Sequence, residues 1–224
     1  MSLSTEYLKV LPVILVAAAC YDIGEPTQSP VRVTWTAFPD TVPVGQTFSL
    51  EFAGPVTPNA CGRLDTAAVA IGDSTIRLSG QRSVYDTMCS DSRVSFYEAR
   101  PISLDDPGRF RVLDSEGREL GSVVALDSGT FSAVRTRGTG TLDEAGGCYL
   151  FGPGWLGNQR PFALAGLAES LKAEGGSDRV LFVAGTLHGF SLCGQYGSRP
   201  RIDVDTAYVT DQTIADYYPE KDTD

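Results

Sequence analysis

The chain has 224 residues, with 28 acidic and 18 basic side chains, a formal net charge of −10, 24 glycines and 13 prolines. Such a surface repels a phosphate backbone, and non-specific nucleic-acid binding needs a basic stripe that releases counterions, so the composition argues against a nucleic-acid partner. The length bounds the fold to one large or two small turn-rich domains, with no repeat or low-complexity tract.

Met1–Lys9 is short and polar and hands over to the apolar run Val10–Ala19, about half of the roughly 20 residues a helix needs to cross a bilayer core. A secretion signal over residues 1–19 is the better reading. Its exit, Ala17-Ala18-Ala19-Cys20, resembles the lipobox of bacterial lipoproteins. That resemblance implies that Cys20 receives a diacylglyceryl group and becomes the mature amino terminus. The alternative is an ordinary secreted protein whose Cys20 is its first core cysteine. Removing the signal takes Glu6 and Lys9 together, so the net charge is unchanged. With five cysteines in all, acylating Cys20 leaves Cys61, Cys89, Cys148 and Cys193, which allow three disulfide connectivities in an oxidising compartment.

Residues 20–30 (CYDIGEPTQSP) lack apolar periodicity and read as a tether. From Val31 the period becomes two. VRVTWTAF, TFSLEFAG, AAVAIG, STIRLSG, RVSFYEARPISL and GRFRVLD are strand-like runs between Gly, Pro, Asp and Asn turns, which argues for an antiparallel sandwich over residues 31–122. PDTVPVGQTFSLEFAG resembles the opening strands of immunoglobulin-like modules on bacterial surfaces. The stretch is also similar to envelope domains with a cysteine after the second strand and another about thirty residues on. That resemblance implies a Cys61–Cys89 pair.

Residues 123–210 differ in texture. VRTRGTGTLDEAGGCYLFG supplies a strand whose Gly138 and Gly140 suit sharp coiling around a small barrel. PFALAGLAESLKAEGG places Leu164, Leu167 and Leu171 at helical spacing, with Gly175 as a C-cap. DRVLFVAGTL and SLCGQYGSRPRIDVDTAYV read as two further strands around His188. The order resembles small OB-like barrels of exported bacterial proteins, and Cys148 and Cys193 stand at the two cysteine positions of that pattern, which implies their pairing. The alternative is a continuation of one larger sandwich. The expected fold is thus mainly β, an immunoglobulin-like β-sandwich followed by an OB-like β-barrel with one short helix. Residues 211–224 close it as an acidic tail that frays beyond Thr210.

Catalytic constellations are missing. There is no G-x-S-x-G, H-E-x-x-H or P-loop, and GTGTLD lacks the third glycine of a dinucleotide fingerprint. The sole histidine, His188, reads as a solvent-facing turn residue. Asp203-x-Asp205 puts two carboxylates on one strand face without the rest of a Ca2+ loop, and no C-x2-C pair offers a zinc site. No metal, cofactor or catalytic residue is expected. GPGWLGNQR sets Trp155 and Leu156 beside Arg160 in a glycine-rich loop, either as a partner contact or, for Trp155, as a cap on the barrel's open end. The expectation is a non-catalytic interaction or structural module. It is held by its lipid in the cell envelope, facing the periplasm or exterior, with an envelope protein as partner; Tyr21 after the cysteine resembles sorting to the outer membrane. The alternative is an envelope enzyme or a small-ligand binder using the barrel face.

Overall fold

A computed structural model describes residues 25–86, 88–153, 161–174 and 179–217, without the side chains of 173, 174, 214 and 215. The expected signal over residues 1–19, Cys20, the segment carrying Trp155, Leu156 and Arg160, and Gly175 lie outside the described residues. The protein is mainly β, built from two sheets.

The six-stranded sheet contains β1 (Thr27–Pro30), β3 (Thr41–Pro43), β5 (Gly62–Ile71), β6 (Thr75–Val84), β8 (Gly108–Leu113) and β9 (Glu119–Leu126). The eight-stranded sheet contains β2 (Trp35–Pro39), β4 (Phe48–Thr57), β7 (Val94–Ile102), β10 (Val134–Ala145), β11 (Cys148–Gly152), β12 (Phe162–Ala165), β13 (Arg179–Leu192) and β14 (Ser198–Thr213). The period-two runs explain the packing between them: β4 sends Phe48, Leu50 and Phe52 inward to meet Ile76 and Leu78 of β6 and Phe110 and Val112 of β8 in one buried cluster. Not every pairing is antiparallel, since β3–β9, β6–β8 and β12–β14 run parallel. These partners are far apart in sequence, and parallel pairing needs such long connections. Position 122 falls inside β9, whose sandwich pairing runs on to Leu126.

Five strands of the larger sheet close on themselves in the order β10–β11–β12–β14–β13–β10. A second buried cluster fills this ring with Trp35, Leu142, Phe151, Phe162, Leu181 and Ile202 among its members. One edge of β10 pairs first with β2, from Val134 opposite Pro39 to Gly138 opposite Trp35, and then with β11 from Thr141 onward. The sandwich and the ring therefore share a continuous sheet. Gly138 and Gly140 stand at the hand-over. A Cβ on Gly138, where φ is +146°, would lie 2.2 Å from the Thr34 carbonyl oxygen, and one on Gly140 would lie 2.2 Å from that of Gly152. Gly138→Ala is expected to cost about 2 to 3 kcal/mol through overpacking and backbone strain. Gly147→Ala, at φ +78° in open space, bears only the backbone term, about 1 to 2 kcal/mol. Equal denaturation midpoints for the two variants would contradict a crowded hand-over.

Four local expectations change. Phe162–Ala165 is a strand rather than the start of a helix, and α1 covers only Glu169–Glu174. Leu164, Leu167 and Leu171 do share a face, but that face is the ring's interior. The β13–β14 hairpin reverses at Cys193–Gly197, not at His188, because a bulge between Leu187 and Phe190, with Gly189 at φ +62°, lets the strand continue. Finally, the chain beyond Thr210 is held. β14 runs to Thr213, and α2 (Ile214–Tyr217) buries Tyr217, whose Oη donates to the Thr139 carbonyl at 2.9 Å and lies 2.7 Å from Thr34 Oγ1. Asp216 accepts from the Thr213 backbone N–H at 2.9 Å and the Thr213 hydroxyl at 2.7 Å, and these bonds hold its carboxyl below the ordinary range. The tether's last residues are held too, since Thr27–Pro30 pairs antiparallel with β6.

Candidate functional site

Both disulfides are formed, Cys61–Cys89 and Cys148–Cys193, each with its Cα atoms 5.3 Å apart. The second shapes the most distinctive surface. β10 pairs β13 only over Val180–Thr186, so Leu187–Leu192 leans on β14 alone. This arm is drawn onto the ring by the Cys148–Cys193 bond. The β10–β11 turn approaches so closely that a Cβ on Gly146 would lie 2.1 Å from the Cys193 carbonyl oxygen. Underneath, Cys193 packs with Leu150 and Ala163 in a small buried cluster. Those two residues alternate with Phe151, Phe162 and Leu164, which face the ring's interior, so they belong to the outer face of β11–β12.

Above the clamp, apolar side chains stand in solvent. Phe190 is 68% exposed and Leu192 is 85% exposed, and Tyr196 in the short 3-10 turn Gly194–Tyr196 is exposed as well. Phe190 and Leu192 share a strand face, opposite Pro200 and Ser198. Single exposed apolar residues are ordinary, but here three stand close in sequence on one hairpin fixed by a covalent bond. His188 is exposed on the same arm, whereas Phe190 and Leu192 belong to no recognised motif. The signal was present in the alternation F-S-L between Gly189 and Cys193, in a hairpin too thin to bury both faces.

Asp203 and Asp205 are each paired with an arginine. Arg201 Nε lies 2.9 Å from Asp203, and Arg135 lies 2.7 Å from Asp205 while donating to Thr186 Oγ1 at 2.7 Å. Among the described residues no group of three or more His, Cys, Asp or Glu is placed to hold a metal ion. In comparisons with protein-family models, curated proteins and solved structures, nothing matches the chain. The site's own chemistry therefore carries the functional argument.

The Trp155 segment joins β11 to β12, and its two readings separate by fluorescence. Trp35, the other tryptophan, has no exposed surface, so acrylamide is expected to spare its emission. A red-shifted fraction that acrylamide quenches would come from Trp155 and support a contact role. Emission that is blue-shifted and unquenched throughout would mean that Trp155 is buried.

Proposed function

We propose that this chain is a lipid-anchored protein of the bacterial cell envelope, acylated at Cys20, that acts as a non-catalytic interaction module and contacts an envelope protein through the clamped β13–β14 arm. The observation that carries the reading is the exposure of Phe190 and Leu192 on an arm fixed by Cys148–Cys193. Aromatic anchors supply much of the energy of protein contacts, and an arm that is already ordered loses little entropy on binding. The two disulfides fit a compartment outside the cytoplasm.

The sandwich is read as immunoglobulin-like and the ring as OB-like. Support for the latter is the pairing order of its strands, three antiparallel in sequence, the third parallel to the fifth, with α1 between the third and the fourth. The alternative of a ligand held on the β11–β12 face of the barrel is weaker, because Cys193 and Cys148 pack over Leu150 and Ala163 there.

Two experiments test the proposal. A photo-crosslinking residue placed at Phe190 or Leu192 in native cells is expected to trap the same envelope protein, and one at Ile71, an exposed position on β5, is expected not to. Equal adducts from all three positions, or none from the arm, would remove the contact assignment. For the anchor, Cys20→Ala should abolish fatty-acid labelling, and labelling that persists would refute acylation at Cys20.

A further inference from the structure

We infer that the groove where the sandwich meets the ring binds a small organic oxyanion, a carboxylate or phosphate monoester carried on an apolar or aromatic body. The groove encloses about 310 Å3, near the lower end of small-molecule sites. It forms because the two sheets end at different places. β3 covers β9 only from Val124 onward, so Arg118, Glu119 and Leu120 border the groove on one side. On the other side the larger sheet continues through β2 and β10 to β13. Thr36 stands opposite Arg137, and Thr139 opposite Phe182, on the face directed away from the ring's interior.

Three features of this groove suit an oxyanion. First, a chain of net charge −10 places Arg32, Arg118 and Arg137 here, against Glu119 alone among the acids that line the groove. Arg118 is already committed, 2.8 Å from Asp114 and donating to the Val33 carbonyl at 2.9 Å. Arg32 and Arg137 form no ion pair among the described residues. Arg32 also borders a second groove, so Arg137 is the more specific of the two. The Arg137 guanidinium carbon reaches to 3.7 Å from the place a Cβ would take on Gly121, bringing the charge across the gap to β9. A planar guanidinium matches carboxylate and phosphate oxygens with paired donors.

Second, Thr36 is 1% exposed and its Oγ1 has no hydrogen-bond partner among the described residues. A buried hydroxyl of this kind normally finds one. It lies on the same face as Arg137, where an oxyanion bound to the guanidinium would accept a hydrogen bond from it. Third, beside the polar Thr34, Thr139 and Gln212 the groove has an apolar wall. Leu120 and Phe182, both half-buried, supply it, and Phe182 is stacked on Tyr208 with ring centroids 5.0 Å apart. The end of the groove is held by the Tyr217 hydroxyl through Thr34 and Thr139, both of which line it.

The test is titration of the full chain at low salt with benzoate, phenyl phosphate, inorganic phosphate and neutral benzyl alcohol, followed by NMR shifts and calorimetry. Saturable binding of benzoate or phenyl phosphate is expected, and whichever is tighter identifies the oxyanion. Arg137→Gln should weaken it at least tenfold, and Glu119→Gln should strengthen it. Thr36→Val replaces only the hydroxyl, with a methyl group, and should weaken binding several-fold while Tm holds or rises, a combination that structural damage does not produce. Benzyl alcohol binding as tightly as the anions, inorganic phosphate binding as tightly as phenyl phosphate, or affinity unchanged in Arg137→Gln would overturn the inference. So would the absence of saturation by any anion up to about 10 mM, which corresponds to less than about 3 kcal/mol of binding.

Discussion

Trp35→Ala is expected to lower the stability of the protein by about 3 to 5 kcal/mol, the range for large aromatic truncations in cores. Trp35 has no exposed surface, and its ring lies 5.1 Å from that of Phe162 and 5.9 Å from that of Tyr97. Its Nε1 has no partner among the described residues. The loss is therefore one of packing, with no hydrogen bond to add. Position matters as much as volume. β2 is the strand that pairs with β10 on one side and β4 on the other, so a cavity there undermines ring and sandwich together. For a fold of this size the corresponding fall in Tm is roughly 6 to 20 °C. Trp35→Phe should recover much of it. Denaturant titration followed by circular dichroism is the measurement, and a loss below about 1 kcal/mol would show that the ring does not depend on this side chain.

The double substitution Cys148→Ser with Cys193→Ser should cost a similar amount, about 4 kcal/mol by the chain-entropy estimate for a 45-residue separation. Removing Cys61–Cys89, with its separation of 28, should cost about 3.5 kcal/mol by the same estimate. The two losses differ in kind. Without the clamp the arm has only β14 to hold it, so Leu150 and Ala163 become accessible and the hydrophobic dye ANS is expected to bind. Loss of Cys61–Cys89 should weaken the sandwich without that signal. A Cys89–Cys148 peptide in non-reducing mapping would contradict both pairings.

How much of this could be read in advance follows from which forces leave a mark on sequence. Strands with one buried face leave a clear one: in TFSLEFAG and STIRLSG every second residue enters the core, and β4 and β6 are found there. The cysteine pairs were implied by the resemblances and are formed. β1 left no mark, because Thr27–Pro30 adds to the edge of β6 through its backbone, which any side chain permits. The PFAL strand was hidden by leucines whose spacing fits a helix face as well as the inside of a closed ring. The groove was also hidden. Arg32, Arg118 and Arg137 come from three distant segments, and only the pairing of β10 with β2 and the start of β3 opposite Val124 set them around one space.

That pairing of β10 with β2 also governs how the molecule transmits orientation. Between many tandem modules a few unpaired residues act as a swivel, and each module searches its surroundings separately. Here the path from the sandwich to the ring passes through paired backbone from Trp35–Gly138 to Pro39–Val134. A turn imposed near Thr27 is thus carried into the ring as by a stiff rod. Under the proposed amino-terminal anchor, the direction in which the β13–β14 arm points would follow the angle of the sandwich, because the two move as one piece.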